Sequence, residues 1–291
     1  MSKYGIPYTG SKSFIAKEIL DVLPSGKRLV DLFGGGFAIS HCCLLEFYPN
    51  KWQSVLYNDH NPLLKPLIEK AISGYYNYDI FKPEWISRER FFAEKENDGY
   101  IKWIWSFGNN GCDYLFSKSI EEAKRQVHQL VVFGEQSELT TGIELKSTNI
   151  RDRRLEYMAY VRKHGQRNDL PQLQQLERLQ CLEEIERIEH LQRLEQLKVT
   201  HNLEITCMDY RNYEYQDGDV VYCDIPYEFA KQKFYGGGFD HKKFKDWVRS
   251  RDYPVFVSSY IEAPIIWQKQ KHVRMDGGGK IYRQECVYRF N

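Results

Sequence analysis

The sequence lacks a C-x-x-C pair, an apolar run of bilayer length and an apolar N-terminal leader. Seven cysteines occur, but the only close pair is Cys42-Cys43. An odd, scattered set suits a reducing cytoplasm better than a disulfide framework or a zinc site. A spanning helix needs ~20 consecutive apolar residues, and no stretch approaches that, so neither a membrane nor a metal is expected as a partner. Met1-Ser2-Lys3-Tyr4-Gly5 has none of the hydrophobic stretch of a signal peptide, and a cytoplasmic protein is expected. Strong net charge is missing too: the sum is +1. What is present, 42% apolar and 28% charged residues in 291, fits a soluble globular chain with one core, or one core plus a smaller insertion.

The charge is unevenly placed. Arg151, Arg153, Arg154, Arg162, Lys163 and Arg167 face only Asp152 and Glu156 in their stretch, and Lys231 to Arg251 holds seven Lys or Arg against Asp240 and Asp246. Such stretches on a neutral chain fit a nucleic-acid face, or equally a solvated surface.

Three regions follow one another. Residues 1–84 read as α/β: an amphipathic helix over Ser13–Leu23, a strand over Arg28–Phe33, a glycine turn, a buried helix over Phe37–Tyr48, a strand over Ser54–Tyr57 and a helix over Leu63–Ile72. Strand, turn, helix, strand is a βαβ unit with a parallel sheet and right-handed crossover. Residues 85–168 lose that rhythm and are rich in aromatic, polar and basic residues. The α/β pattern resumes at 199–291, with strands over Leu203–Cys207, Val220–Cys223, Pro254–Ser258 and Gln284–Phe290. Between lies 169–198, where Leu170, Leu173, Leu176, Leu179, Leu182, Ile185, Ile188, Leu191, Leu194 and Leu197 recur every third residue. Triplets drift by about 60° per repeat around an α-helix, so they keep no single apolar stripe, yet the composition is strongly helix-favouring. A helical or triplet-solenoid insertion with a structural role is expected.

Candidate chemistry sits at strand ends. Asp31-Leu32-Phe33-Gly34-Gly35-Gly36 joins the first strand to the first buried helix, where glycines admit a ligand close to the backbone and helix amides face it. The spacing is not G-x-G-x-x-G, so a dinucleotide is not the favoured ligand. Asp59, at the end of the second strand, is placed either to accept ribose hydroxyls or to cap a turn before Asn61-Pro62. Asp209, after the third, could bond an adenine amino group or simply cap. Val220 to Cys223 runs into Asp224-Ile225-Pro226-Tyr227: an acid, a stiffened turn and an aromatic.

That tetrapeptide resembles the D-P-P-Y motif of amino methyltransferases, and the whole chain looks like the Dam-type (D12 class) adenine-N6 DNA methyltransferases. Tyr8-Thr9-Gly10-Ser11-Lys12 is similar to the family's aromatic-small-Gly-Gly-Lys element, Asp31 to Gly36 to its F-x-G-x-G loop, and Tyr57-Asn58-Asp59-His60-Asn61 to its N-D-x-N. Phe256-Val257-Ser258-Ser259-Tyr260 and Arg283-Gln284-Glu285 resemble later elements, and Ser106-Phe107-Gly108-Asn109-Asn110-Gly111 a DNA-contacting loop. The matches keep the family's order.

The resemblance implies an α/β, Rossmann-like S-adenosylmethionine-dependent methyltransferase sheet (1–84 and 199–291), an inserted target-recognition domain (85–168) and the leucine-triplet segment (169–198). It implies S-adenosylmethionine as cofactor and double-stranded DNA as partner, the protein acting as a monomer or as a dimer on DNA. Asp224, Ile225, Pro226 and Tyr227 are then the catalytic set: Asp224 and the Ile225 carbonyl accept the adenine amine's N–H groups, and Tyr227 stacks on the flipped base. Tyr8, Lys12, Asp59 and Asp224 carry over as cofactor-binding residues, with Lys12 on the methionine carboxylate. Asp31, Phe33, Gly34, Gly36 and Asp209 join that set.

Ile225 departs from the family's proline, but it still offers a carbonyl, and Pro226 keeps it extended. In the middle region Trp103, Trp105, Phe107 and Tyr114 are candidates to insert or stack, or to fill a small core. Asn109 and Asn110 would read base edges or phosphates, or merely turn the chain. Lys102, Lys118, Lys124, Arg125 and the Arg151 to Arg167 cluster, with Arg151, Arg153 and Arg154 foremost, would bind backbone. Competing readings are a catalytically impaired DNA-binding relic of the same fold and an amino methyltransferase acting on cytosine N4 or RNA.

Overall fold

The computed structural model describes residues 3–164, 182–199, 202–227, 238–258, 263–274 and 280–291. Its helices are α1 (Ala16–Val22), α2 (Ala38–Glu46), α3 (Leu64–Ile72), α4 (Arg88–Glu94), α5 (Gly99–Ile104), α6 (Glu121–Phe133), α7 (Ile150–His164), α8 (Glu183–Gln192) and α9 (His241–Arg249). Its strands are β1 (Arg28–Asp31), β2 (Ser54–Asn58), β3 (Leu203–Thr206), β4 (Asp219–Asp224), β5 (Val255–Ser258), β6 (Ile265–Arg274) and β7 (Lys280–Phe290). The chain packs as two units, residues 1–69 with 196–291 and residues 70–195.

The first unit holds a seven-stranded sheet in the order β3-β2-β1-β4-β5-β7-β6. β1 lies parallel to β2, Asp31 opposite Tyr57, and parallel to β4, Asp31 opposite Tyr222. β3 joins β2 and β5 joins β4 in parallel, while β7 runs antiparallel to both β5 and β6. Leu29, Val30, Val221, Tyr222, Cys223, Val255 and Val257 are all buried, as expected of parallel strands covered on both faces. From β1 the chain moves outward to β2 and β3, then crosses back to β4. Strand order therefore reverses between β1 and β4, and the loops leaving their carboxyl ends diverge around a crevice.

Two elements are not legible in the sequence. β6 carries Trp267-Gln268-Lys269-Gln270 without apolar alternation, because it is the sheet's edge strand, where lysines discourage further pairing. α9 lies within a stretch read only as basic. It buries Phe244, Trp247 and Val248 while Lys242, Lys243 and Arg249 stay exposed, the spacing of an amphipathic helix.

In the second unit Trp85 packs edge-on to Trp105 and flat on Phe116, with His128 against both tryptophans. The described part of the leucine-triplet segment is helical. Leu182, Ile185, Ile188, Leu191 and Leu194 are each 0% exposed. Through α8 these positions spread over about half the cylinder, so the helix is enclosed broadly rather than along a stripe. A 3-10 turn over Arg193–Leu197 follows, whose three residues per turn match the triplet period. The acids between the leucines find partners within the unit: Lys124 reaches Glu183, His128 Nδ1 lies 3.1 Å from Glu184, and Arg154 bonds Glu186 and Glu189. Leu170, Leu173, Leu176 and Leu179 lie outside the described residues, as do Arg167, Lys231, Lys233 and Ser259-Tyr260. Among the described residues no helix is long and apolar enough to cross a membrane.

Candidate active site

The glycine turn after β1 is pressed between two rings. A Cβ on Gly34 would stand 2.2 Å from Tyr57 Cε2, and one on Gly36 2.5 Å from Tyr8 Cβ. Tyr57 in turn donates its hydroxyl to the Gly35 carbonyl at 2.7 Å. No side chain larger than hydrogen fits those two positions, so the backbone stays bare where β1 hands over to α2. Phe37, which enters α2, adopts a left-handed φ of 66° and is buried, a conformation costly for a non-glycine residue and kept by its surroundings.

Two acids frame the turn. Asp31 is 0% exposed; its Oδ2 accepts from Ser40 Oγ at 2.7 Å and Ser40 N at 3.2 Å, while its Oδ1 is buried without a partner. Burial raises its pKa to about 7 against the pull of Ser40, with the Asp224 and Asp59 charges adding to the rise. Asp59 accepts from Gly35 N and from Asn61 N, both at 2.8 Å. The second bond is the capping turn foreseen as the alternative, and the first ties the end of β2 to the glycine turn. Loss of solvation raises the Asp59 pKa as well. Asn58 stitches the same strand ends, donating to the Leu32 and Met208 carbonyls.

Across the switch point Lys12 Nζ donates to Asp224 Oδ1 at 2.7 Å, with side-chain exposures of 6% and 19%. The same ammonium lies 3.9 Å from Glu285 Oε2 and 4.9 Å from the centre of the Tyr227 ring. Tyr227 donates its hydroxyl to Glu285 Oε2 at 2.5 Å. Burial raises the Tyr227 pKa far above a phenol's usual value, and the Asp224 and Glu285 charges push the same way. Three segments distant in sequence thus meet at one ammonium: Lys12, the Asp224 to Tyr227 tetrapeptide and Glu285. Glu285 received no individual role from the sequence, although Arg283-Gln284-Glu285 resembles a late family element and opens an apolar strand; the neighbouring Cys286, Val287 and Tyr288 are buried. Ile225 is 2% exposed and joins the core cluster with Val30, Leu32, Phe244 and Val257. The Ile225 side chain therefore fills the core beneath the strand end.

Other expected residues fall elsewhere. Phe33 packs on Tyr210, Phe244 and Phe239, anchoring the turn to α9. Asp209 caps the 3-10 turn over Tyr210–Asn212 and bonds Arg211 N and Nε at 2.9 Å, which draws its pKa down to about 2. Of the readings left open for it, the placement matches the cap.

In the second unit Trp103, Trp105 and Tyr114 are buried and build its core, whereas Phe107 is 65% exposed. Phe107 stands on a tight loop closed by the Ser106–Tyr114 bridge and by Arg187, which donates to the Ile104 and Ser106 carbonyls. Asn110 Oδ1 accepts from Cys112 N and Asp113 N and its Nδ2 donates to Asp113, so its amide shapes the loop. Asn109 sits beside it at φ 58°. Contrary to a phosphate contact, Arg154 is buried on two glutamates, Lys124 is buried beside Glu183, and Arg153 is tied to the Ser147 and Val132 carbonyls. For Arg154 the physical reason is that α8 sets Glu186 and Glu189 against it, and their largely buried carboxylates need a cation. Lys118 and Arg151 remain exposed. Among the described residues no cluster of His, Cys, Asp or Glu could hold a metal ion.

No curated protein matches the chain. Residues 8–128 match the family model described as D12 class N6 adenine-specific DNA methyltransferase, a span that takes in Lys12, the glycine turn, Asp59 and the Phe107 loop and ends before Asp224. Over residues 8–128, 121 of its 291 positions, the chain is similar to the D12 class of N6 adenine-specific DNA methyltransferases.

Proposed function

We propose that the crevice between β1 and β4 binds S-adenosylmethionine and methylates adenine N6 in duplex DNA, with the target base flipped out of the helix. The observation that carries this reading is Asp224, held at the carboxyl end of β4 and bonded to Lys12 beside the strand-order reversal. The residues present fit such a cofactor. A bare glycine turn lets a ligand approach the backbone, and Asp31 keeps a buried oxygen without a partner next to it. Tyr8, Lys12, Asp59 and Asp224 would hold it, and its chemistry is an electron-poor methyl on a sulfonium.

The rest falls to the chain. Adenine's amine is a weak nucleophile because its lone pair is delocalised into the ring. Asp224 and the Ile225 carbonyl accept its N–H groups and draw the nitrogen toward tetrahedral geometry, so that positioning and electrostatics supply the rate. Tyr227 stacks on the extruded base. The second unit reads the DNA: Phe107 is the stacking side chain, and Lys118 and Arg151 contact phosphates.

Purified protein, labelled S-adenosylmethionine and mixed-sequence duplex DNA should yield N6-methyladenine by nucleoside mass spectrometry. N4-methylcytosine, transfer to RNA alone, or cofactor binding without turnover would each overturn the proposal.

A further inference from the structure

A buried carboxylate is costly unless it is paired, and both partners of Glu285 belong to the candidate active site. Glu285 is 9% exposed on β7, accepts the Tyr227 hydroxyl at 2.5 Å and lies 3.9 Å from Lys12 Nζ. We propose that Glu285 is a positioning residue for methyl transfer, fixing the Tyr227 ring through its hydroxyl and serving as the second counter-ion of Lys12. The proposal rests on the reading of Asp224 to Tyr227 as the base site.

The bond has one direction. Tyr227 stays a neutral phenol because burial and two nearby acids oppose its ionisation, so it donates and Glu285 accepts. A phenol tethered at its para oxygen cannot swing about its side-chain torsions, and the ring is held ready before a base arrives. The ring hangs on the loop after β4, whereas Glu285 sits on β7, a central strand paired on both sides. The tether therefore borrows the rigidity of the sheet for a loop residue.

The ion pairs give Glu285 a second task. Lys12 is bonded to the Asp224 carboxylate that must accept the amine. An oxygen engaged with an ammonium is a weaker acceptor for a second donor. Glu285, 3.9 Å from the same ammonium, is an acid within reach when that ammonium is released from Asp224.

The test is a double-mutant cycle of Glu285→Gln and Tyr227→Phe, followed by kcat/KM for DNA and by the fluorescence of 2-aminopurine at the target position. Each single variant should lose ~10-fold in kcat/KM and part of the fluorescence rise, as for removal of one charge-assisted hydrogen bond. The double variant should lose little more than either single. Losses that multiply, or wild-type kinetics and fluorescence in Glu285→Gln, overturn the proposal. If Glu285→Gln does not fold, Tyr227→Phe alone decides, since it deletes the same bond, and unchanged fluorescence there is equally fatal. Asp224→Ala separates the two levels. If Asp224→Ala is active, the base site itself is misassigned; if it is inactive while Glu285→Gln behaves as wild type, only the role of Glu285 falls.

Discussion

Lys12 and Asp224, 212 positions apart in the chain, are joined by a 2.7 Å bond between ammonium and carboxylate. Asp224→Ala should lower methyl transfer ~1000-fold or more, in line with removal of a group that stabilises the transition state, while circular dichroism stays unchanged. Lys12→Ala should raise the Kd for S-adenosylmethionine ~10-fold to ~100-fold by calorimetry, as for loss of a charge-assisted contact. An unaltered Kd would remove Lys12 from the cofactor site.

The glycine turn tolerates no added carbon. Gly34→Ala places a methyl 2.2 Å from the buried Tyr57 ring, which is itself held by its hydroxyl. Overpacking of this kind costs about 1–3 kcal/mol, so the melting temperature should fall by several degrees. A variant that melts like the wild type would show that the ring yields.

Two aromatics close in sequence should respond in opposite ways. Phe107→Ala should leave stability within ~0.5 kcal/mol, because the ring is exposed, and weaken DNA binding. Trp105→Ala should destabilise by about 3–5 kcal/mol, because the ring is fully buried. Chemical denaturation and fluorescence anisotropy on a labelled duplex separate these outcomes, and a Phe107→Ala protein with undiminished affinity would argue against the stacking role.

The basic residues divide in the same way. Arg154→Ala strands two largely buried glutamates and should cost about 3–5 kcal/mol. Lys118→Ala should leave the melt unchanged and reduce the slope of log K against log salt by ~0.9, the signature of one phosphate contact. A stable Arg154→Ala protein with a reduced slope would reverse the assignment.

Asp31 makes stability depend on pH. Its folded pKa is about 7 against the ordinary 3.8, so between those values the native state holds a proton that the unfolded state has released. Stability from this group is present below pH 3.8 and declines as pH rises toward 7. His190 acts in the other direction: burial lowers its pKa from 6.5 to about 4, and its contribution is lost as pH falls through that window. Asp31→Asn should therefore flatten the decline toward neutral pH, and His190→Gln should flatten the loss on acidification. Melting temperature measured from pH 4 to 8 checks both signs.

The sequence by itself determined the parallel strands, the glycine turn and the acids at strand ends. Those signals are local: apolar runs for buried strands, Gly34 and Gly36 where no Cβ fits, Asp59 and Asp224 where a strand stops. Only the tertiary structure decided which of the candidates meet. Glu285 enters the site because β7 inserts between β5 and β6, a pairing between distant segments that no local pattern announces. Among residues 103–114 the alternation of aromatics does not tell a core tryptophan from an exposed phenylalanine; packing buries Trp103 and Trp105 and leaves Phe107 outside. Arg154 and Lys118 carry the same charge, and their difference arises from the glutamates of α8 that fold against one of them. Charge and periodicity are properties of a segment, but burial and partnership belong to the whole chain.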